Sequence, residues 1–63
     1  MDFMPIINVG ILEGRTVEQK RELVSEITKV VCKCVNTTPE KVTVVINDIP
    51  KTNFGSNGKL SID

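Results

Sequence analysis

Hydrophobic residues follow two different periods along the chain. A short apolar run follows Pro5 and passes Gly10, which is typical of a strand. From Val17 to Val35 apolar residues recur at spacings of three and four, which predicts one long helix. The predicted apolar stripe of this helix is Leu23, Val24, Ile27, Val30, Val31 and Cys34. The dense β-branched run from Val42 to Ile49 predicts a second strand, and its apolar residues at both parities predict burial on both faces.

Local signals place the ends of these elements. Thr16 and Gln19 form a Thr-x-x-Gln capping box, which starts the helix after Thr16. Asn36 is expected to end the helix, and the sequence Thr38-Pro39-Glu40 predicts a brief turn with proline in its first position. Pro50 ends the second strand.

The order strand, helix, strand predicts a right-handed βαβ unit with parallel strands. An Asn57-Gly58 hairpin signal follows within 54–62, so the fold class is α+β, a βαβ unit plus a C-terminal β-hairpin. One helix covers one face of a two-stranded sheet. We therefore expect units to pair into a four-stranded sheet with two helices, and the short hairpin to dock on a neighbouring subunit.

Length and composition support self-association and exclude several classes of protein. A chain of 63 residues is one small domain that buries only about 60% of its unfolded surface, so a monomer would be marginal. Eight basic and eight acidic residues give zero net charge, which removes the electrostatic reason to expect a nucleic-acid partner. No apolar run approaches the roughly 20 residues that span a bilayer, and no signal-peptide pattern is present, so we expect no membrane partner and a cytoplasmic location.

Cys32 and Cys34 lie two positions apart in the predicted helix and project about 200° from one another. They are poorly placed to bridge or to share a metal ion. We expect core packing for Cys34 and partial burial for Cys32. The sequence contains no histidine, which weakens any zinc or Cys-His catalytic hypothesis.

Arg15 is a candidate functional residue, because it directly precedes the predicted N-cap of the helix. The positive end of the helix dipole makes a cation there mildly unfavourable unless an anion comes to meet it. Two interpretations stay open: an exposed arginine in solvent, or an anion-binding arginine at the mouth of a pocket.

The sequence resembles the 4-oxalocrotonate tautomerase family from Pro5 to about Leu60. The resemblance rests on Pro5 before the first strand, on Ile11-Leu12-Glu13-Gly14-Arg15 and the helix start Thr16-Val17-Glu18-Gln19-Lys20, and on Lys51-Thr52-Asn53-Phe54-Gly55. It implies small βαβ subunits that assemble into homohexamers and use an amino-terminal proline as a general base, without metal or organic cofactor. Residue by residue, it implies Pro5 as the base, Arg15 on the carboxylate or oxyanion, and Phe54 in the substrate pocket.

Two features depart from the family pattern. Residues 1–4 form an extension before the domain at 5–63, and while they are attached the nitrogen of Pro5 is an amide and not a base. Either Met4 is the natural start, so that its removal exposes Pro5, or the extension is genuine and the proline chemistry is lost. In addition, Thr43 stands where the best-characterised members carry a second arginine in the middle of the second strand, and it cannot replace that cation.

The leading hypothesis is therefore an enol-keto tautomerase, an isomerase that acts on a small 2-hydroxy-dienoate or enolpyruvate-type acid. The alternative is a non-catalytic, tautomerase-like homo-oligomer that binds a small anion. A third interpretation is an unrelated small βαβ interaction module, which a monomer in solution would favour.

Overall fold

The computed structural model describes residues 4–63. Its main elements are β1 (Ile6–Leu12), α1 (Val17–Val35) and β2 (Thr43–Ile49). Two short 3-10 turns, Pro39–Lys41 and Lys51–Asn53, flank β2, and the two-residue strands β3 (Gly55–Ser56) and β4 (Lys59–Leu60) form a hairpin near the end of the chain.

The strands β1 and β2 pair in parallel, from Ile6 opposite Thr43 to Leu12 opposite Ile49. α1 lies between them in the chain, so the predicted βαβ unit is confirmed. The predicted hairpin is also confirmed: β3 and β4 are antiparallel, and the turn between them has positive φ at Asn57 (56°) and Gly58 (80°), as a tight Asn-Gly turn requires.

The helix begins and ends as its sequence signals predict. The Thr16 hydroxyl accepts a hydrogen bond from the Gln19 backbone N–H at 3.1 Å, and the Gln19 side chain accepts one from the Thr16 N–H at 2.9 Å. Asn36 adopts the left-handed conformation at the C-cap, with φ 58°. These two caps satisfy backbone groups that the helix itself leaves unpaired.

The packed face of α1 differs from the predicted stripe. Val30 is 59% exposed and Cys34 is also exposed, whereas Thr28 and Cys32 are half-buried. The prediction of core packing for Cys34 was therefore wrong, and that of partial burial for Cys32 is confirmed. Val30 is turned about 100° from the half-buried Val31, which carries it off the sheet.

Only one face of the sheet is covered in the protomer, so burial of β2 on both faces, which we expect from the pairing of units, stays a prediction. Exposed and half-buried residues alternate along β1 and through most of β2. α1 covers the face that carries Ile11 and Asp48, which are neighbours across the strands. The opposite face, called here the open face, exposes Ile6 (65%) and Val45 (40%). No residue within 4–63 is fully buried.

The hairpin folds back on its own chain. The Ser61 hydroxyl donates to the carbonyl oxygen of Lys51 at 2.6 Å, and the Ser61 N–H donates to that of Phe54 at 2.8 Å. Docking of the hairpin on a neighbouring subunit stays a prediction. Within the described part of the chain, no helix is both long and apolar enough to cross a membrane.

Candidate active site

Arg15 lies just beyond the carboxyl end of β1, at the entrance to α1. Gly14, with φ 113°, turns the chain in a conformation that side-chain-bearing residues rarely adopt, and Thr16 caps the helix immediately afterwards. A left-handed turn on one side and a cap on the other thus fix the position of the Arg15 backbone.

Arg15 borders a cavity of about 200 Å³ between the end of β1 and the first turns of α1. The other lining residues are Ile11, Gln19, Lys20 and Leu23. Ile11 and Leu23 supply an apolar wall, and Arg15 and Gln19 supply polar groups. Small-molecule sites commonly combine an apolar lining with a few polar groups in this way.

The two cations at this cavity differ in their ion pairing. The ammonium of Lys20 lies 2.5 Å from a carboxylate oxygen of Asp48, and its side chain is only 27% exposed. Arg15 is exposed and forms no ion pair with any residue in 4–63, whereas Arg21, six residues further along the chain, pairs with Glu18. Asp48 already neutralises Lys20, so the guanidinium of Arg15 is the cation that can accept an anion here.

Sequence reasoning missed Lys20 as a cavity residue and assigned Gln19 only a capping role. A signal was present: Arg15, Gln19 and Leu23 are spaced at four residues and therefore share one side of the helix entrance. The ion pair between Lys20 and Asp48 had no such signal, because its partners are 28 positions apart in the chain.

Phe54 lies at the same end of the sheet as Arg15. It follows β2, Pro50 and the turn Lys51–Asn53, and it is 40% exposed. Phe54 does not line the Arg15 cavity. In the protomer, Arg15 and Phe54 therefore lie at the same end of the sheet, with Phe54 outside the cavity itself.

Pro5 lies at the opposite end of the sheet. It is half-buried, and its carbonyl oxygen accepts a hydrogen bond from the Thr43 N–H at 3.0 Å. A seven-residue strand separates Pro5 from the loop that carries Arg15, a span of about 20 Å. A single protomer thus brings Arg15 and Phe54 to one end of the sheet and leaves Pro5 at the other end.

Thr43 is the first residue of β2 and pairs with Ile6, so it lies beside Pro5 rather than in the middle of the strand. Its side chain is short and uncharged. In the protomer, Pro5 therefore has the hydroxyl-bearing Thr43 beside it at the position where the family resemblance predicts a second arginine.

The cysteine and carboxylate side chains of residues 4–63 do not form a metal site. Among residues 4–63 no three histidine, cysteine or carboxylate side chains cluster closely enough to hold an ion. Cys32 and Cys34 are both free thiols.

Comparison with known proteins gives a consistent result. The family model described as tautomerase enzyme matches residues 5–63. A probable tautomerase of Halalkalibacterium halodurans is 45% identical over 60 residues, which cover 95% of this chain and 98% of that protein. The 2-hydroxymuconate tautomerase of Pseudomonas putida is 39% identical over 56 residues, 89% of each chain.

Solved structures agree with these sequence matches. A structure of the 4-oxalocrotonate tautomerase isozymes from Methylibium petroleiphilum superposes with a TM-score of 0.89 at 40% identity, and covers 92% of this chain and 91% of that one. A heterohexamer 4-oxalocrotonate tautomerase from Chloroflexus aurantiacus superposes with a TM-score of 0.90 at 25% identity, over 95% of this chain and 97% of that one.

Proposed function

The chain belongs to the tautomerase family and has a tautomerase function, and we propose that it interconverts enol and keto forms of a small 2-hydroxy-dienoate or enolpyruvate-type acid. Residues 5–63 form the catalytic domain, residues 1–4 are an extension, and the protein acts in the cytoplasm. Three of the four extension residues, 1–3, lie outside the described residues. The relative from Pseudomonas putida, which is named a 2-hydroxymuconate tautomerase, supports this substrate class.

The observation that carries the proposal is the guanidinium of Arg15, which has no ion-pair partner among residues 4–63 and lies beside an apolar cavity. A guanidinium offers parallel N–H donors that match the two oxygens of a carboxylate. The apolar wall of Ile11 and Leu23 suits the hydrocarbon part of an unsaturated acid. Arg15 therefore binds the substrate carboxylate or stabilises charge that develops on the carbonyl oxygen.

Pro5 supplies the base once it is the amino-terminal residue. A secondary amine at the chain terminus has a lone pair free of amide resonance, and a cation that another subunit brings near it lowers the pKa of its ammonium form. The amine accepts the proton of the 2-hydroxyl group, and the resulting ammonium returns a proton to a carbon of the conjugated system. Phe54 shields this transfer from water and keeps the surroundings apolar. No metal or organic cofactor takes part.

This mechanism requires more than one protomer. Pro5 and Arg15 lie at opposite ends of β1, so the base of one subunit meets the cation of another only in an assembly. The open face, with Ile6 and Val45 exposed, provides apolar surface for such contacts. We therefore propose a homohexamer; the relative from Chloroflexus aurantiacus is described as a heterohexamer.

A second function is favoured by Met4 and Thr43. As long as Met4 is attached, the nitrogen of Pro5 is an amide, and Thr43 adds no cation beside it. The alternative is a non-catalytic homo-oligomer that binds a small anion at Arg15.

The deciding experiment is ultraviolet-monitored ketonisation of 2-hydroxymuconate by the full chain and by a chain that begins at Pro5. The shortened chain should turn over the substrate, and Pro5→Ala in that chain should abolish turnover. Arg15→Ala should lower kcat/KM by about 100-fold, the loss expected when a charged substrate contact is removed. Arg21→Ala, which removes an arginine already paired with Glu18, should leave the rate within about twofold. Equal rates for the shortened chain and its Pro5→Ala variant would refute the proline mechanism.

A further inference from the structure

Glu13 joins two segments that are far apart in the chain. Its backbone N–H donates to the carbonyl oxygen of Ile49 at 2.9 Å, which extends the β1–β2 pairing by one bond. Its side-chain carboxylate accepts a hydrogen bond from the backbone N–H of Lys51 at 3.1 Å, across 38 positions of sequence. Both groups of Glu13 therefore hold the chain that leaves β2.

The segment reached by Glu13 leads directly to Phe54. Lys51 begins the short turn Lys51–Asn53, and Phe54 follows that turn. Ser61 holds both ends of this segment, because its hydroxyl donates to the Lys51 carbonyl oxygen and its N–H donates to the Phe54 carbonyl oxygen. A continuous series of hydrogen bonds thus runs from Glu13 through Lys51 and Ser61 to Phe54.

On its other side, Glu13 is separated from Arg15 only by Gly14. Gly14 has a positive φ, and among residues 4–63 no heavy atom outside its chain neighbours lies within 4 Å of where a Cβ would be. In the described part of the chain, the side of Gly14 that a Cβ would occupy is therefore not packed. The bonds of Glu13 hold this loop on one side and the cap at Thr16 holds it on the other, so both add to the turn at Gly14 in placing the Arg15 backbone.

We propose that Glu13 is a positioning residue, whose carboxylate fixes the loop of Arg15 against the segment of Phe54 so that both reach one bound acid in a set geometry. This proposal rests on the proposed tautomerase function, because it concerns the same site. Glu13 acts through its bond to the Lys51 N–H and does not contact the substrate.

The test uses Glu13→Ala and Glu13→Gln in the catalytically active form of the chain. Glu13→Ala removes the acceptor and should lower kcat/KM for 2-hydroxymuconate about tenfold, since small displacements of positioning groups have large effects on rate. Glu13→Gln keeps an oxygen acceptor at the same reach and should restore the rate to within about threefold. Glu26→Ala removes a carboxylate that pairs with Lys29 on the exposed side of α1, and it should have no effect.

A double-mutant cycle with Arg15→Ala separates positioning from general stability. If Glu13 acts partly by placing Arg15, Glu13→Ala should lower kcat/KM much less in the Arg15→Ala background than in the parent. A full, additive loss in both backgrounds would overturn the proposal, as would a Glu13→Gln variant as slow as Glu13→Ala.

A measurement that does not depend on catalytic activity distinguishes failure of the positioning role of Glu13 from failure of the proposed function. Amide hydrogen exchange at Lys51 should be faster in Glu13→Ala than in the parent and in Glu13→Gln. An inactive parent whose Lys51 amide is protected by Glu13 would refute the proposed reaction on 2-hydroxymuconate while leaving the contact intact. An active parent with unchanged Lys51 exchange and an unchanged rate in Glu13→Ala would refute the positioning role alone.

Discussion

The capping box at the start of α1 offers a direct test of how sequence signals translate into stability. Replacement of Thr16 by Ala removes the hydroxyl that accepts from the Gln19 N–H at 3.1 Å. The loss of such an N-cap costs about 1 kcal/mol. The reciprocal bond, from the Thr16 N–H to the Gln19 side chain at 2.9 Å, survives this change because it uses the backbone of residue 16.

Additional replacement of Gln19 by Ala removes that second bond, which is solvent-exposed and adds about 0.5 kcal/mol. For a domain of this size, 1 kcal/mol corresponds to a shift in Tm of about 4–8 °C. We therefore expect Thr16→Ala to lower the Tm by about 4–8 °C and the double variant to lower it further. Thermal unfolding followed by circular dichroism measures both, at one fixed protomer concentration because association raises the apparent stability.

Thr38→Ala is the matched control within the same chain. Thr38 also precedes a helical turn, Pro39–Lys41, but its side chain makes no capping hydrogen bond. Its replacement should change the Tm by no more than about 4 °C, because an ordinary surface substitution changes the stability by less than about 0.5 kcal/mol. Equal losses for Thr16→Ala and Thr38→Ala, or no loss for Thr16→Ala, would refute the reasoning that the hydroxyl stabilises α1 through its bond.

Two further predictions concern the open face and the exposed side of α1. Val45→Glu places a charge in the open face and should dissociate the proposed homohexamer into smaller species in sedimentation velocity. Ser25→Glu, on the exposed side of α1, should not change the assembly. An unchanged assembly in Val45→Glu would exclude the open face from the interface. The pKa of Lys29 should lie above its ordinary value of 10.5, because the Glu26 carboxylate accepts its hydrogen bond at 2.8 Å and attracts its charge. The stabilisation from this pair is fully present below pH 10.5 and is lost as the pH rises through the folded-state pKa. An NMR titration in which Glu26→Gln leaves the pKa of Lys29 unchanged would contradict this cause.

The elements of the fold could be read from the sequence because the signals for them are local. The Thr16–Gln19 box, Asn36 and the Asn57-Gly58 turn each act within a few residues, and the structure confirms all three. The resemblance predicted the family that the comparisons show, because Pro5 and the segments 11–15, 16–20 and 51–55, which include Arg15 and Phe54, occur together and in order. The catalytic and binding roles of these three residues stay predictions.

The tertiary structure alone decided which sides of each element are covered and which residues meet. Periodicity does not show where a helix crosses a two-stranded sheet, so the exposure of Val30 and Cys34 was not predictable from spacing. Contacts such as Lys20 with Asp48 and Glu13 with Lys51 join residues separated by 28 and 38 positions, and no local rule links them. Because burial and long-range hydrogen bonds depend on how all elements pack together, the sequence determined the elements and the family, and the structure determined the surroundings of Arg15.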